Sequence, residues 1–232
     1  MKPNRNRKLD SHDRRILLNT CYGHFMSHFN MLVFPALVLP LMARLEMPMA
    51  QVLSLSFWMY LLFGLTALFW GLLADRFGAR PLLLMYFVGS GFASVAAALW
   101  LDAPLALSLA LAALGFFSGI YHPAGLGLIS KEMSRVSIGM GYNGMFGNLG
   151  LAMAPLLTGI MNWFWGPQAA YLCLAGLNLG GAVLMIAYPM QVSETTTAKE
   201  KTEGNGILGA FIILLAAMML GGIVYRGATV IL

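Results

Sequence analysis

Seven stretches of this chain, at about residues 16–41, 50–74, 81–101, 104–130, 137–163, 168–188 and 207–232, are each more than 20 residues of nearly unbroken apolar side chains. At a rise of about 1.5 Å per residue, each reaches across a hydrocarbon core of about 30 Å. A backbone in lipid has no water to bond, so every run must satisfy its own N–H and C=O groups as a helix. This constraint excludes the one or two soluble domains that 232 residues would otherwise imply. Composition agrees, with 59% hydrophobic residues, 10% charged residues and a mean hydropathy of +0.76. The first run is too long for a signal-peptide core and lacks an A-x-A site, so it counts as a span.

The positions of the charges orient the spans. Six of the 14 cations, Lys2, Arg5, Arg7, Lys8, Arg14 and Arg15, precede the first run. With Arg76, Arg80, Lys131, Arg135, Lys199 and Lys201 they fall on one set of connections, whereas the opposite set, around Arg44, Asp102 and Gly166, carries Arg44 alone. That bias predicts a cytoplasmic N-terminus and a multi-pass protein of the plasma membrane, the inner membrane of a bacterium. The basic N-terminus lacks the interleaved aromatics of a nucleic-acid arm, so lipid, not nucleic acid, is the expected partner.

Residues 189–206, PMQVSETTTAKEKTEGNG, are polar and aperiodic, which predicts a cytoplasmic linker. The implied organisation is a basic N-terminus at 1–15, a six-helix bundle at 16–188, the linker at 189–206, and the start of a second bundle at 207–232 that ends as though cut, its remaining helices missing. Cys21 and Cys173 fall at opposite ends of their spans and read as small core residues, not a disulfide. Gly115, Gly119, Gly150, Ala154, Thr158, Gly176 and Gly180 supply the small surfaces that let helices approach in lipid.

Between the second and third runs stands GLLADRFGARPLL, residues 71–83. Gly71 to Ala74 should end a helix, Asp75 to Arg80 form a tight turn, and Pro81 begin the next helix, where its missing N–H costs nothing. The residues Gly71, Leu73, Ala74, Asp75, Arg76, Gly78 and Arg80 resemble the signature between helices two and three of the major facilitator superfamily of secondary transporters. The resemblance implies an all-α fold, a six-helix bundle of two inverted three-helix repeats plus a seventh helix. It also implies that Asp75, Arg76 and Arg80 latch the cytoplasmic ends of two halves. Gly141, Gly150, Ala154, Pro155 and Gly159 resemble the Gly/Pro kink motif of antiporter branches, with Ala154 and Thr158 in place of two glycines. Within the superfamily the chain is similar to the fosmidomycin-resistance type of drug exporter, through Gly23-His24-Phe25, Pro35 and Pro40, Tyr121-His122-Pro123, and Gly147-Asn148-Leu149-Gly150. It departs at His28, where relatives are expected to carry an acid, and at Ala124, where some carry one, and it lacks the fourth-helix arginine of many proton-coupled members.

An ionisable group at bilayer depth is costly and tends to face a cavity. His24 lies nine residues beyond Arg15 and His122 nine residues before Lys131, which puts both roughly 13 Å above the inner boundary. Asn143, eight residues beyond Arg135, shares that layer. The expected substrate or proton site is therefore His24, His28, His122 and Asn143, with histidine as the proton carrier and a proton gradient, not a cofactor, as the energy source. Bonding of each histidine to a neighbouring helix is the competing explanation. His24 and His28, one helical turn apart with Cys21 below, could instead hold a soft metal ion. HFMSH lacks the glutamate of a zinc protease, and Ser118 with His122 lacks an orienting third group, so an enzyme is not expected. Arg226 could bind an anionic substrate or snorkel to the outer interface. The resulting expectation is proton-coupled efflux of a small organic compound, with uptake of an organic anion or metal ion, or an inactive half-transporter, as alternatives.

Overall fold

The computed structural model describes residues 9–190 and Gly209. The chain divides into two compact units, Met1–Thr195 and Thr196–Leu232. Of the second, only Gly209 is described, in helical conformation, so the seventh run with Arg226 and most of the 189–206 stretch lie outside the described residues.

In the first unit the described residues form helices and no strands. α1 (Ser11–Ala36) starts where the Asp10 side chain accepts from the Asp13 N–H, and it stops one residue beyond Pro35. α2 (Val38–Leu45) continues it at a 44° bend, so the expected 16–41 helix is broken into two pieces. α3 (Met49–Ser54), α4 (Phe57–Leu65) and α5 (Ala67–Phe77) replace the expected 50–74 helix, with a 45° bend before α5. The turn expected over Asp75–Arg80 contracts to Gly78 alone, since α5 runs to Phe77 and α6 (Ala79–Leu99) begins at once. Gly78 adopts φ 84° and ψ 158°, a region closed to residues with a Cβ, and this lets so short a link reverse the chain. α7 (Pro104–Ser118) opens on Pro104, and a π turn at His122–Leu126 joins it to α8 (Gly127–Glu132). α6, the α7–α8 span and α9 (Val136–Ala187) are each long and apolar enough to cross a membrane.

α9, at 52 residues, is far too long for one crossing, and it breaks at Gly166 with φ 83°. Its contacts with α1 show what the break does. Asn143 meets Thr20 and Gly150 faces Phe25, whereas Asn178 meets Asn30 and Asn19 meets Tyr188. The part before Gly166 thus runs parallel to α1 and the part after it antiparallel. Likewise Gly115 packs on Met59 and Gly119 on Phe63, so α7 runs parallel to α4.

The exterior is apolar where the interior is mixed. Leu65, Leu68, Leu105 and Val183 are exposed, which suits a lipid-facing surface. Trp100, Trp163 and Trp165 are also exposed and lie close in sequence to the chain reversals at 100–103 and Gly166, a placement that suits an interfacial aromatic belt. Inside, Asn30 donates to Ser118 Oγ at 3.0 Å, and Asn178 donates to Asn30 Oδ1 at 2.9 Å, with Ser90 beside Ser118 at 3.4 Å. These buried polar bonds tie α1, α6, α7 and α9 together. Of the expected small-residue contacts, Gly115, Gly119 and Gly150 meet a neighbouring helix, whereas Gly176 and Gly180 face open space. Gly91 and Gly181 take that role instead, against Leu179 and Phe87.

Candidate functional site: a histidine layer in the bundle

His24 and His28 occupy successive turns of α1, so both project from one face. His122 comes from the π turn, where Pro123 has no N–H for the regular helical ladder and the backbone widens. The three side chains converge. One ring nitrogen from each lies within 4.8 Å of those of the other two, and the His122 ring stands edge-on to those of His24 and His28 at centroid distances of 5.2 and 5.6 Å. All three are half-buried.

The surrounding residues fix the cluster. His24 Nδ1 lies 2.8 Å from the Asn143 main-chain oxygen, so it carries the proton and donates, leaving Nε2 as an acceptor. His28 Nε2, 3.1 Å from His24 Nε2, is then the donor of that bond. Tyr121 stacks on His24 at 5.3 Å and donates to the Thr20 carbonyl at 2.6 Å. Asn143 Nδ2 donates to Tyr121 Oη at 2.6 Å and to Thr20 O at 3.0 Å, while its buried Oδ1 has no hydrogen-bond partner. Gly147 makes room for the His24 ring, since a Cβ there would stand 2.7 Å from Nδ1. Tyr121 and Gly147 enter the sequence argument only through the family resemblance; their place around His24 becomes visible in the packing.

The structure therefore brings together four expected residues, His24, His28, His122 and Asn143. Cys21 is not in the group; it lines a separate groove of about 370 Å³ with Leu17, Tyr22, Tyr142 and Phe146. Both cysteines are free. In the kink motif Ala154 is fully buried and Gly150 faces the Phe25 backbone, whereas Gly159 is open. Pro155 stays within α9 in helical conformation, and the break falls at Gly166.

At the other expected site, Asp75 accepts from Lys131 Nζ at 2.7 Å, an exposed pair across a cleft of about 90 Å³ that also borders Gly78 and Pro123. A partner for Asp75 thus lies within its own unit. Arg76 stacks over Phe77 at 5.3 Å, and Arg80 borders a groove with Leu84 and Met185. Gly71 approaches Pro123 closely enough that a Cβ would sit 3.6 Å away. At the opposite end Arg44 holds Asp102 through two hydrogen bonds of 2.6 and 2.7 Å, joining connections that sequence reading treated separately.

Helices long and apolar enough to span lipid, two of whose reversals fall at Gly78 and Gly166, and which enclose a polar layer, define a multi-pass membrane protein. The Major Facilitator Superfamily model matches residues 20–232, and the chain belongs to that superfamily, as a transporter of the major facilitator type. A search of curated proteins returns no significant match.

Proposed function

We propose that this transporter exports a small organic compound in exchange for protons, by alternating access around the layer of His24, His28, His122 and Asn143. The observation that carries the reading is the convergence of three half-buried histidines from α1 and the π turn at one depth inside the bundle. Side chains that can take up and release a proton belong where the coupling site of a major facilitator transporter must open to either face in turn. The resemblance to fosmidomycin-resistance exporters through Gly23-His24, His122-Pro123 and Gly147 to Pro155 supports efflux as the direction.

The charge bias of the connections supports a cytoplasmic N-terminus and residence in a plasma membrane, the inner membrane in a bacterium. On this reading the N-terminal unit is a six-span bundle, with α1–α2, α3–α5, α6, α7–α8 and the two parts of α9 as its spans, and a second six-helix half completes the cavity. Asp75 then exchanges partners, held by Lys131 in one state and drawn towards the second half in another, with Arg76 and Arg80 beside it. Arg226, on the seventh run, contacts an anionic part of the cargo or the outer interface.

The test is flux of candidate compounds in proteoliposomes, with and without a pH gradient. Wild-type protein should move cargo against its gradient only when protons flow the other way. His24→Ala and His122→Ala should abolish the coupled component, and proton-driven flux that survives both replacements unchanged would remove the coupling role.

A further inference from the structure

We propose that His24, His28 and His122 also form a binding site for one exchangeable divalent transition-metal ion of the Zn2+, Co2+ and Ni2+ group. The inference shares the layer invoked for transport but rests on the geometry of its nitrogens. Tetrahedral coordination with metal–nitrogen bonds of about 2.0–2.1 Å sets ligand nitrogens about 3.3 Å apart. His24 Nε2 and His28 Nε2 already stand at 3.1 Å, and every ligand nitrogen of the triad lies within 4.8 Å of the others. One edge of the tetrahedron is therefore formed. From 4.8 Å at most, the third nitrogen has no more than about 1.5 Å to close, within reach of side-chain rotation at His122.

The outer contacts agree with this use. A metal-binding histidine characteristically donates its second ring N–H to a carbonyl, which fixes the tautomer and aims the free lone pair. His24 makes that bond to Asn143 O at 2.8 Å. In the empty site the His28 Nε2 proton fills the gap between the two rings. On binding it relocates to His28 Nδ1, and both Nε2 lone pairs face the ion with no net change in charge.

The donor set selects the class of ion. Imidazole suits zinc, cobalt, nickel and copper, whereas calcium and magnesium require oxygen ligands. Three protein ligands leave a fourth position open, and half-burial keeps it within reach of water. A permanent structural ion would be enclosed by four ligands, so an ion here exchanges. The buried, unpartnered Oδ1 of Asn143 offers an acceptor in the same layer for water carried by the metal.

The experiment is titration of the purified protein, its affinity tag removed, with ZnCl2 alone by isothermal calorimetry, followed by the visible spectrum of the Co2+ form. One ion per chain is expected, with the absorption bands of four-coordinate cobalt. His122→Ala and His28→Gln should each weaken binding about tenfold or more, while His12→Ala, at the remaining histidine, should leave it unchanged. His28→Gln keeps a hydrogen-bonding group next to His24, and a wild-type thermal melt certifies its fold. Folded wild-type protein that takes up no Zn2+, or binding unaltered by both triad replacements, overturns the site. Proton-driven flux without Zn2+ binding removes this inference alone, and Zn2+ binding without proton-driven flux removes the transport reading alone.

Discussion

Replacing Gly147 by alanine sets one methyl group against the ring of His24. A Cβ at that position lies 2.6 Å from Cε1, 2.7 Å from Nδ1 and 2.8 Å from Nε2. Ordinary contact begins at 3.4 Å, so the ring has to withdraw by about 0.6–0.8 Å. Such a shift carries the 2.8 Å bond from Nδ1 to Asn143 O towards the limit of hydrogen bonding, and it disturbs the 3.1 Å approach to His28 as well. Overpacking of this kind costs about 1–3 kcal/mol, and loss of one neutral hydrogen bond about 1 kcal/mol. Because the ring ends a rotatable side chain, the total for Gly147→Ala should fall at about 1–2 kcal/mol. Gly150→Ala is the control. Its Cβ would meet the main chain of Phe25, which cannot rotate away, so α1 and α9 must separate at a cost of about 3 kcal/mol. Thermal unfolding in detergent should rank Gly150→Ala well below Gly147→Ala. Zn2+ affinity and proton-driven flux should nevertheless fall in Gly147→Ala, whose fold is nearly intact. Wild-type flux and Zn2+ affinity in Gly147→Ala would refute the role given to the His24 ring position, and equal melting temperatures for the two variants would refute the packing argument.

Other parts of the bundle yield sharper structural tests. Gly78→Ala meets no atom within 4 Å but must adopt φ 84°, so it should destabilise by about 1–3 kcal/mol in thermal melts, whereas Gly127→Ala, also in open space and with a helical φ, should be neutral or stabilising. Lys131→Gln removes an exposed ion pair and should shift stability by less than about 1 kcal/mol, so a large change in transport with an unchanged melt would mark Asp75 as a gate residue. Asn30→Ala strips hydrogen bonds from buried Ser118 and Asn178 and should cost about 1–3 kcal/mol by the same melt. Hydrogen bonds from Arg44 hold the Asp102 carboxyl below its ordinary range. A lowered carboxylate pKa gives stability that is present above the unfolded value and lost as pH falls through the folded one. Melts of wild-type and Asp102→Asn protein should therefore differ at neutral pH and converge in acid below the ordinary carboxylate range.

Depth was legible in this sequence because helical rise is additive. Counting from Arg15 and from Lys131 places His24 and His122 at one level, and the structure brings their rings to 5.2 Å. Azimuth is another matter, since it depends on which neighbour each face meets. Cys21, one turn below His24 by count, points into a different groove, and Gly176 and Gly180 face outward where Gly181 packs. Breaks at Leu37 and Thr66 were hidden for a similar reason. An apolar run shows that the chain crosses lipid, not that it does so in one straight piece, and only Pro35 marked the first of these bends.

The polar pairing was the least legible part, and the reason separates structural from functional polarity in this bundle. Asn30 and Asn178 drew no attention inside apolar runs because neither carries a charge, yet an unpartnered amide in lipid costs free energy as surely as an ion does. They satisfy each other, at 148 residues' separation, and with Ser118 they close a network that has little left to offer a ligand. In the histidine layer the balance is reversed. Asn143 keeps an unused buried acceptor, the triad makes one bond between His24 and His28 and one from His24 to the Asn143 carbonyl, and the rings remain half-buried. Polar groups that saturate one another hold helices together, whereas polar groups left partly unsatisfied beside a water-accessible space are available for exchange. On that criterion His24, His28 and His122, and not Asn30 and Asn178, are the groups we propose for exchange with cargo or protons.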